Sequence, residues 1–157
     1  MNILVTGGAG FVGSNLCKYL ISEEHNVIAL DNFHSGRNEN LAFLVDKKNF
    51  KIIQHDVRNK IDIQEPIDQI YHLACPASPK FYQADPIYTT ETCVLGSLSI
   101  LNFALQKNAK VLFTSTSECY AGSIEKFSYE VPTPEIVPLC IDDISSPRFT
   151  YAVTKML

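Results

Sequence analysis

The sequence predicts an α/β fold of the doubly wound class, built on a parallel sheet. Three observations predict it. Short apolar runs at 2–6, 27–30, 50–54, 68–74 and 110–115 alternate with stretches of helical spacing. A turn with three regularly spaced glycines, Gly7, Gly10 and Gly13, joins the first run to the first helix. An acid, Asp31, closes the second run. Strand–helix–strand steps imply right-handed crossovers, hence parallel pairing, and the order expected for the sheet is 3-2-1-4-5.

The first run, Asn2-Ile3-Leu4-Val5-Thr6, is free of breakers and reads as a buried strand. Each of the three glycines after it has a physical role. Gly7 permits a tight turn at positive φ. Gly10, lacking a side chain, lets a pyrophosphate approach the backbone, and Gly13 lets the helix pack closely on the strand. The amides at the helix start, from Phe11 and Val12 onward, face an anion. Asp31 lies about twenty residues past Gly10, the distance at which a carboxylate meets the adenosine ribose hydroxyls. A glycine-rich turn alone would be a weak signal. With a strand before it, a helix after it and an acid at this spacing, it predicts dinucleotide binding. The carboxylate would repel a 2′-phosphate, which favours NAD over NADP, and Arg37 reads as a solvated loop charge.

Residues 32–38 are a polar loop, 39–45 a short amphipathic helix and 50–54 the third strand. The fourth strand spans 68–74. Pro76 and Pro79 make 75–79 a rigid loop in which helix is disfavoured. A long helix is expected from about 87 to 107, with Val94, Leu98, Leu101 and Leu105 on one face. The fifth strand covers 110–115. Ligands of such sheets bind beyond the carboxyl ends of the strands, so Gly7 to Gly13, Asp31, Asp56, Ala74 to Pro79 and Thr116 to Glu118 are expected at one crevice.

Composition narrows the function. A chain of 157 residues that is 46% hydrophobic is expected to form one domain with a sizeable core. A net charge of −4 offers no basic footprint for nucleic acid or an anionic membrane. No apolar run is long enough to span a bilayer. The five cysteines, Cys17, Cys75, Cys93, Cys119 and Cys140, contain no C-x-x-C pair. They read as reduced thiols of a cytoplasmic protein, and neither they nor the histidines have the spacing of a metal site.

The chemistry lies toward the end of the chain. Residues 114–120 leave the fifth strand with a dense set of hydroxyls, among which Thr116 is the candidate to hydrogen-bond a reacting alkoxide or carbonyl oxygen. Thr114 and Ser115 read as structural. Tyr151 and Lys155 stand at i and i+4, on one face of a helix. A phenol of pKa near 10 must fall by roughly 3 units, about 4 kcal/mol, to act as a base near neutrality. One ammonium at about 4 Å supplies roughly that much at an effective dielectric near 20, and an oxidised nicotinamide would add to it. Asp142 and Asp143 could form an acid pair but read better as a solvated turn.

The glycine elbow 7–13, the Thr116-Ser117-Glu118 cluster and the Tyr151/Lys155 pair resemble the extended short-chain dehydrogenase/reductases, over the whole chain. The stretches 72–79, 31–33 and Gly36-Arg37 resemble most the UDP-glucuronate decarboxylase branch of the NAD-dependent epimerase/dehydratase family. The resemblance implies a Rossmann fold with NAD across the crevice. Gly7, Gly10, Phe11, Val12 and Gly13 would hold its diphosphate. Asn32, Ser35 and Gly36, with Asp31, would sit by the adenosine ribose, and Asp56 and Val57 by the adenine. Leu73, Ala74, Pro76 and Thr114 would line the groove. Tyr151 would take the C4 hydroxyl proton of a UDP-sugar, and Lys155 would hold the ribose and lower the phenol pKa. Thr116 would bind the C4 oxygen and Glu118 would assist at C5. The decarboxylase passes through a 4-keto intermediate that loses carbon dioxide before C4 is reduced again. A 4-epimerase, a 4,6-dehydratase and a non-catalytic dinucleotide-binding module are the alternatives.

Three departures accompany the resemblance. Cys93 stands where an asparagine is usual, Ala121 where a glycine is usual, and the 122–148 segment is long, reading as a loop near the active site. Members of this family also continue beyond the tyrosine-bearing helix into further strands and a smaller sugar-binding lobe, and they form dimers. The expectation is therefore an N-terminal portion of a homodimeric enzyme, truncated before the last strands and the substrate lobe and inactive alone.

Overall fold

A computed structural model describes residues 1–157. Two compact units divide the chain. The first comprises Met1–Cys75 and Leu95–Thr114, the second Pro76–Val94 and Ser115–Leu157.

The first unit contains the whole sheet. Strands β1 (Asn2–Thr6), β2 (Asn26–Asp31), β3 (Phe50–Gln54), β4 (Gln69–His72) and β5 (Lys110–Phe113) are all parallel, in the order β3-β2-β1-β4-β5. This is the expected order. Its central strand β1 is buried from Ile3 to Thr6, as a strand covered on both faces must be. The two sides have separate cores. Leu4, Leu30, Ile70, Ile100 and Phe103 cluster together, while Ile3, Val5, Cys17, Val27 and Leu41 form another cluster. Helix α1 (Phe11–Ser22) buries Gly13, Ser14, Cys17 and Leu20, four positions that share one helical stripe.

The short helix expected at 39–45 is present at Asn38–Leu44, as a 3-10 helix. Other sequence expectations are corrected. The fourth and fifth strands end at His72 and Phe113, two residues early in each case, because the chain leaves the ladder on reaching the loops that bear the site. The leucine stripe of the long helix faces outward: Leu98 and Leu101 are about half exposed and Leu105 mostly so, while Ile100, Phe103 and Ala104 are buried. That helix, α3 (Pro86–Lys107), is apolar over much of its circumference, so periodicity alone does not choose its inner face. Gly96 does: a Cβ there would lie 2.7 Å from Val57 Cγ2, so this side packs directly on the chain after β3. Finally, Cys75 and Cys93 are disulfide-bonded, against the expectation of five reduced thiols, whereas Cys17, Cys119 and Cys140 are free. Local spacing carries no information on pairs brought together by folding.

The second unit is helical. It holds α2 (Pro79–Ala84), the first half of α3, a 3-10 turn at Ser117–Tyr120, α4 (Ala121–Phe127) and α5 (Arg148–Met156). Pro79 does not exclude helix; it starts α2, at the first helical position, where its missing N–H costs nothing. The 122–148 segment is not all loop, since α4 opens it. Ala121 sits at φ −55°, so the substitution of the usual glycine carries no strain. The chain beyond α4 is tied back to that helix: Ser123 Oγ donates to the Pro138 carbonyl, and a Cβ on Gly122 would lie 2.1 Å from the Cys140 oxygen. Asp143 closes a turn on the Ser145 amide and hydroxyl (2.8 and 2.7 Å), and Asp142 faces Lys126 at 3.9 Å, so the two acids are not a catalytic pair. No helix is long and apolar enough to cross a membrane.

Candidate functional site

The predicted residues fall into two groups, one in each unit. In the first unit, the elbow after β1 is built on Gly7, whose φ is +69°. Its amide donates to the Leu30 carbonyl (2.8 Å) and its carbonyl accepts from Gly10 N–H (3.1 Å), which closes the turn. Gly10 caps α1 with no side-chain hydrogen bond, leaving the first-turn amides of Phe11, Val12 and Gly13 to whatever lies outside. Phe11 and Val12 are strongly exposed at that mouth.

A Cβ on Gly10 would meet only the Gly7 oxygen, at 3.2 Å, so the approach to these amides is open. A dinucleotide diphosphate fits here: the donors are backbone amides at a helix N-terminus, and the nearest wall is glycine.

Asp31 is 8% exposed. One of its oxygens accepts from Ala9 N–H (2.9 Å) and the other from Phe33 N–H (2.8 Å). It therefore braces the elbow, a role that spacing alone did not reveal. Gly36 lies against it, since a Cβ there would come within 3.0 Å of Asp31 Oδ1. Ser35 and Arg37 are exposed, as read for Arg37.

Asn32 turns onto Asp56 (3.0 Å), whose carboxylate also takes the backbone and guanidinium of Arg58 at 2.9–3.1 Å. Burial pushes the Asp56 carboxyl up, but the Arg58 and Asn32 hydrogen bonds outweigh it and hold its pKa at about 2. Because that value lies below the unfolded one, the group adds stability above about pH 4, and this is lost as pH falls toward 2. The expected contribution is roughly 1–2 kcal/mol after solvent screening. Chemical denaturation of Asp56→Asn at pH 6 and pH 2.5 measures it; the variant's deficit should shrink at the lower pH.

Val57 is buried. Leu73 and Ala74 stand against the elbow: a Cβ on Gly7 would lie 3.0 Å from the Ala74 nitrogen and from the Leu73 carbonyl. Thr114 is structural, its hydroxyl donating to the His72 carbonyl at 2.9 Å. Pro76, expected along the same groove, is buried and belongs to the second unit.

The second unit brings Thr116, Glu118, Tyr151 and Lys155 together. Thr116 caps the 3-10 turn, accepting from Glu118 N–H at 3.2 Å, and its side chain favours the ionised form of the Tyr151 phenol. The phenol ring stacks on Tyr82 of α2, with centroids 5.0 Å apart and planes at 12°. Cys119 anchors α5 to the turn through the Ala152 carbonyl, at 3.8 Å. Tyr151 and Lys155 are both buried.

Their protonation differs from the sequence argument. Burial raises the phenol pKa above 10, with Thr116 pulling the other way and Glu118 adding to the rise. Burial lowers Lys155 to about 8, opposed by Cys119. In the free chain the phenol is therefore not drawn below its ordinary range.

Lys155 also makes stability depend on pH. Its folded pKa lies below the unfolded value of 10.5. Between pH 8 and 10.5 the unfolded chain therefore holds more protons, and stability rises with pH. Relative to Lys155→Met, the native chain should gain about 2–3 kcal/mol between pH 7.5 and 10.5, read from urea midpoints.

Three residues escaped the sequence reading. Arg148 grips Glu118 (3.1 Å) and Glu125 (3.1 Å), which offsets the cost of a cation at the start of α5. Its position three residues before Tyr151 was the available clue. Arg58 sits two residues from the acid it pins. Tyr82 left no local signal.

Comparisons with known proteins bear on the family and the fold. The NAD dependent epimerase/dehydratase family matches residues 3–157. UDP-glucuronic acid decarboxylase 1 of Arabidopsis thaliana is 44% identical over 147 residues, covering 91% of this chain and 33% of its own. The chain thus spans about a third of the length of that relative.

The UDP-glucose 4-epimerase of Thermotoga maritima, solved with UDP-glucose, superposes with a TM-score of 0.81 at 32% identity. The match covers 99% of this chain and 48% of that one. The Thermus thermophilus UDP-glucose 4-epimerase, solved with NAD, gives 0.75 at 29% identity, over 99% and 47% of the two chains. On its match from the first strand to the tyrosine-bearing helix, this chain belongs to the NAD-dependent epimerase/dehydratase family.

Proposed function

We propose that this chain supplies the cofactor-binding and acid–base groups of an NAD-dependent nucleotide-sugar decarboxylase acting on UDP-glucuronate. The single observation that carries the reading is the buried Tyr151 with the buried Lys155 one helical turn along α5, a helix anchored through Cys119 to the turn that bears Thr116. The similarity to UDP-glucuronic acid decarboxylases supports the substrate.

The elbow amides of Phe11, Val12 and Gly13 bind the diphosphate, Asp31 orients the adenosine ribose, and Asp56 with Val57 receives the adenine. NAD, when bound, supplies reversible hydride transfer. Tyr151 removes the proton of the sugar C4 hydroxyl, Thr116 holds that oxygen, and Lys155 holds the nicotinamide ribose. Glu118, oriented by Arg148, manages the proton at C5 once carbon dioxide has left. A homodimer and a cytoplasmic location belong to the same proposal; the outward leucines of α3 are the apolar surface a second copy would cover.

Calorimetry with NAD, followed by assay with NAD and UDP-glucuronate, tests it. Carbon dioxide release supports the decarboxylase. Interconversion of C4 epimers selects the 4-epimerase reading. NAD binding without turnover, both in this chain and in a chimera with a decarboxylase relative, points to a dinucleotide-binding module, and absence of NAD binding overturns the proposal.

A further inference from the structure

Buried beneath the groove wall is a chain of polar side chains that the proposed mechanism leaves unused. Thr6, at the end of β1, is fully buried, and His72, at the end of β4, is 2% exposed. Thr6 Oγ1 lies 2.7 Å from His72 Nδ1, and His72 Nε2 lies 3.2 Å from Ser97 Oγ on α3. The same threonine oxygen accepts from two backbone amides, Ala74 N–H at 3.3 Å and Leu73 N–H at 3.2 Å, the latter shared with the Thr6 carbonyl at 3.2 Å. The ring is held laterally by Phe113, with centroids 5.8 Å apart.

Donor counting resolves the protonation of this chain. A hydroxyl has two lone pairs and one proton. Both lone pairs of Thr6 Oγ1 face amides, so its proton goes to His72 Nδ1, which must be bare. A neutral imidazole then carries its hydrogen on Nε2 and donates to Ser97. The Leu73–Ala74 segment thus gripped is the one that stands 3.0 Å from where a Gly7 Cβ would be.

We infer that His72, as the Nε2–H tautomer, is a positioning residue for cofactor binding: it aims the Thr6 hydroxyl, whose oxygen sets the Leu73–Ala74 backbone against the glycine elbow. The inference rests on the reading of that elbow as the NAD site. Without an acceptor at Nδ1, the threonine rotor would lose its preferred direction; Ala74 N–H would lose its fixed partner and Leu73 N–H would keep only the Thr6 carbonyl. A buried polar chain of this kind is specific only when every member is satisfied.

Long-range nitrogen–proton correlation spectra of the free chain should show His72 Nδ1 unprotonated and Nε2 protonated; a proton on Nδ1 overturns the inference. Thr6→Val should weaken NAD about tenfold, the equivalent of one hydrogen bond, and speed Leu73 and Ala74 amide exchange about tenfold relative to Ile70. Thr6→Ser should restore both. Wild-type affinity and exchange in the valine variant overturn it.

If Thr6→Val does not fold, His72→Asn, whose side-chain oxygen can take the place of Nδ1, is compared with His72→Leu. The asparagine should keep the two amides within about threefold of wild type and the leucine should lose about tenfold. Equal exchange in both overturns the inference. If the wild-type chain binds no NAD, the reading of the elbow fails, whereas the tautomer and amide exchange still decide the role of His72 in the free protein.

Discussion

Phenylalanine in place of Tyr151 should cut turnover by about a thousandfold while shifting NAD affinity by less than about threefold, because general acid–base groups contribute roughly 10²–10⁴ in rate. The variant is clean in structural terms. The ring keeps its stacking on Tyr82, and Thr116 keeps its hydrogen bond from the Glu118 amide, so no buried hydroxyl loses every partner. Only the phenolic oxygen disappears. The raised phenol pKa in the free chain sharpens the prediction. If the proton is taken by Tyr151 only when cofactor charge is present, the wild-type phenol should titrate at lower pH with NAD bound, and the phenylalanine variant should lack that transition. Product analysis with UDP-glucuronate measures turnover, in the chain itself or, where it is silent, in a chimera completed by the remaining two thirds of a decarboxylase relative. Residual turnover within tenfold of wild type would remove Tyr151 from its role.

Alanine at Gly13 should be the most damaging single methyl group in the first unit. Its Cβ would lie 2.1 Å from the Gly7 oxygen, 2.8 Å from Gly8 Cα and 2.9 Å from the Gly7 carbonyl carbon. These are backbone atoms, so no side-chain rotation relieves the overlap; the helix must retreat from the turn. A loss of about 2–4 kcal/mol in stability is expected, with NAD affinity down a hundredfold or more, because the displaced amides are the proposed diphosphate ligands. Gly10→Ala is the informative partner. Its Cβ meets only the Gly7 oxygen, at 3.2 Å, and otherwise projects into open space. It should cost less than about 1 kcal/mol of stability yet weaken NAD at least tenfold by standing where the diphosphate approaches. Urea denaturation and calorimetry separate the two effects. A Gly10→Ala chain that binds NAD normally would show that the anion does not sit on this elbow.

The strand order and the identity of the elbow were legible in the amino-acid sequence because each rests on local grammar. Ile3, Leu4 and Val5 can only be a buried strand, Gly7 must adopt a positive φ, and the alternation of strands with helices leaves few topologies. The Tyr151/Lys155 pair was legible for the same reason, since four residues on a helix bring two side chains to one face. Tertiary structure alone decided how those groups are charged and held. Burial, which no spacing records, raises the phenol and lowers the lysine. Partners distant in sequence set the rest: Arg148 on Glu118, Tyr82 on Tyr151, His72 on Thr6. The face of α3 was likewise chosen by the close approach of Gly96 to Val57 rather than by leucine periodicity. Backbone conformation is set by neighbours along the chain; solvation and pairing are set by neighbours in space, and only folding supplies those.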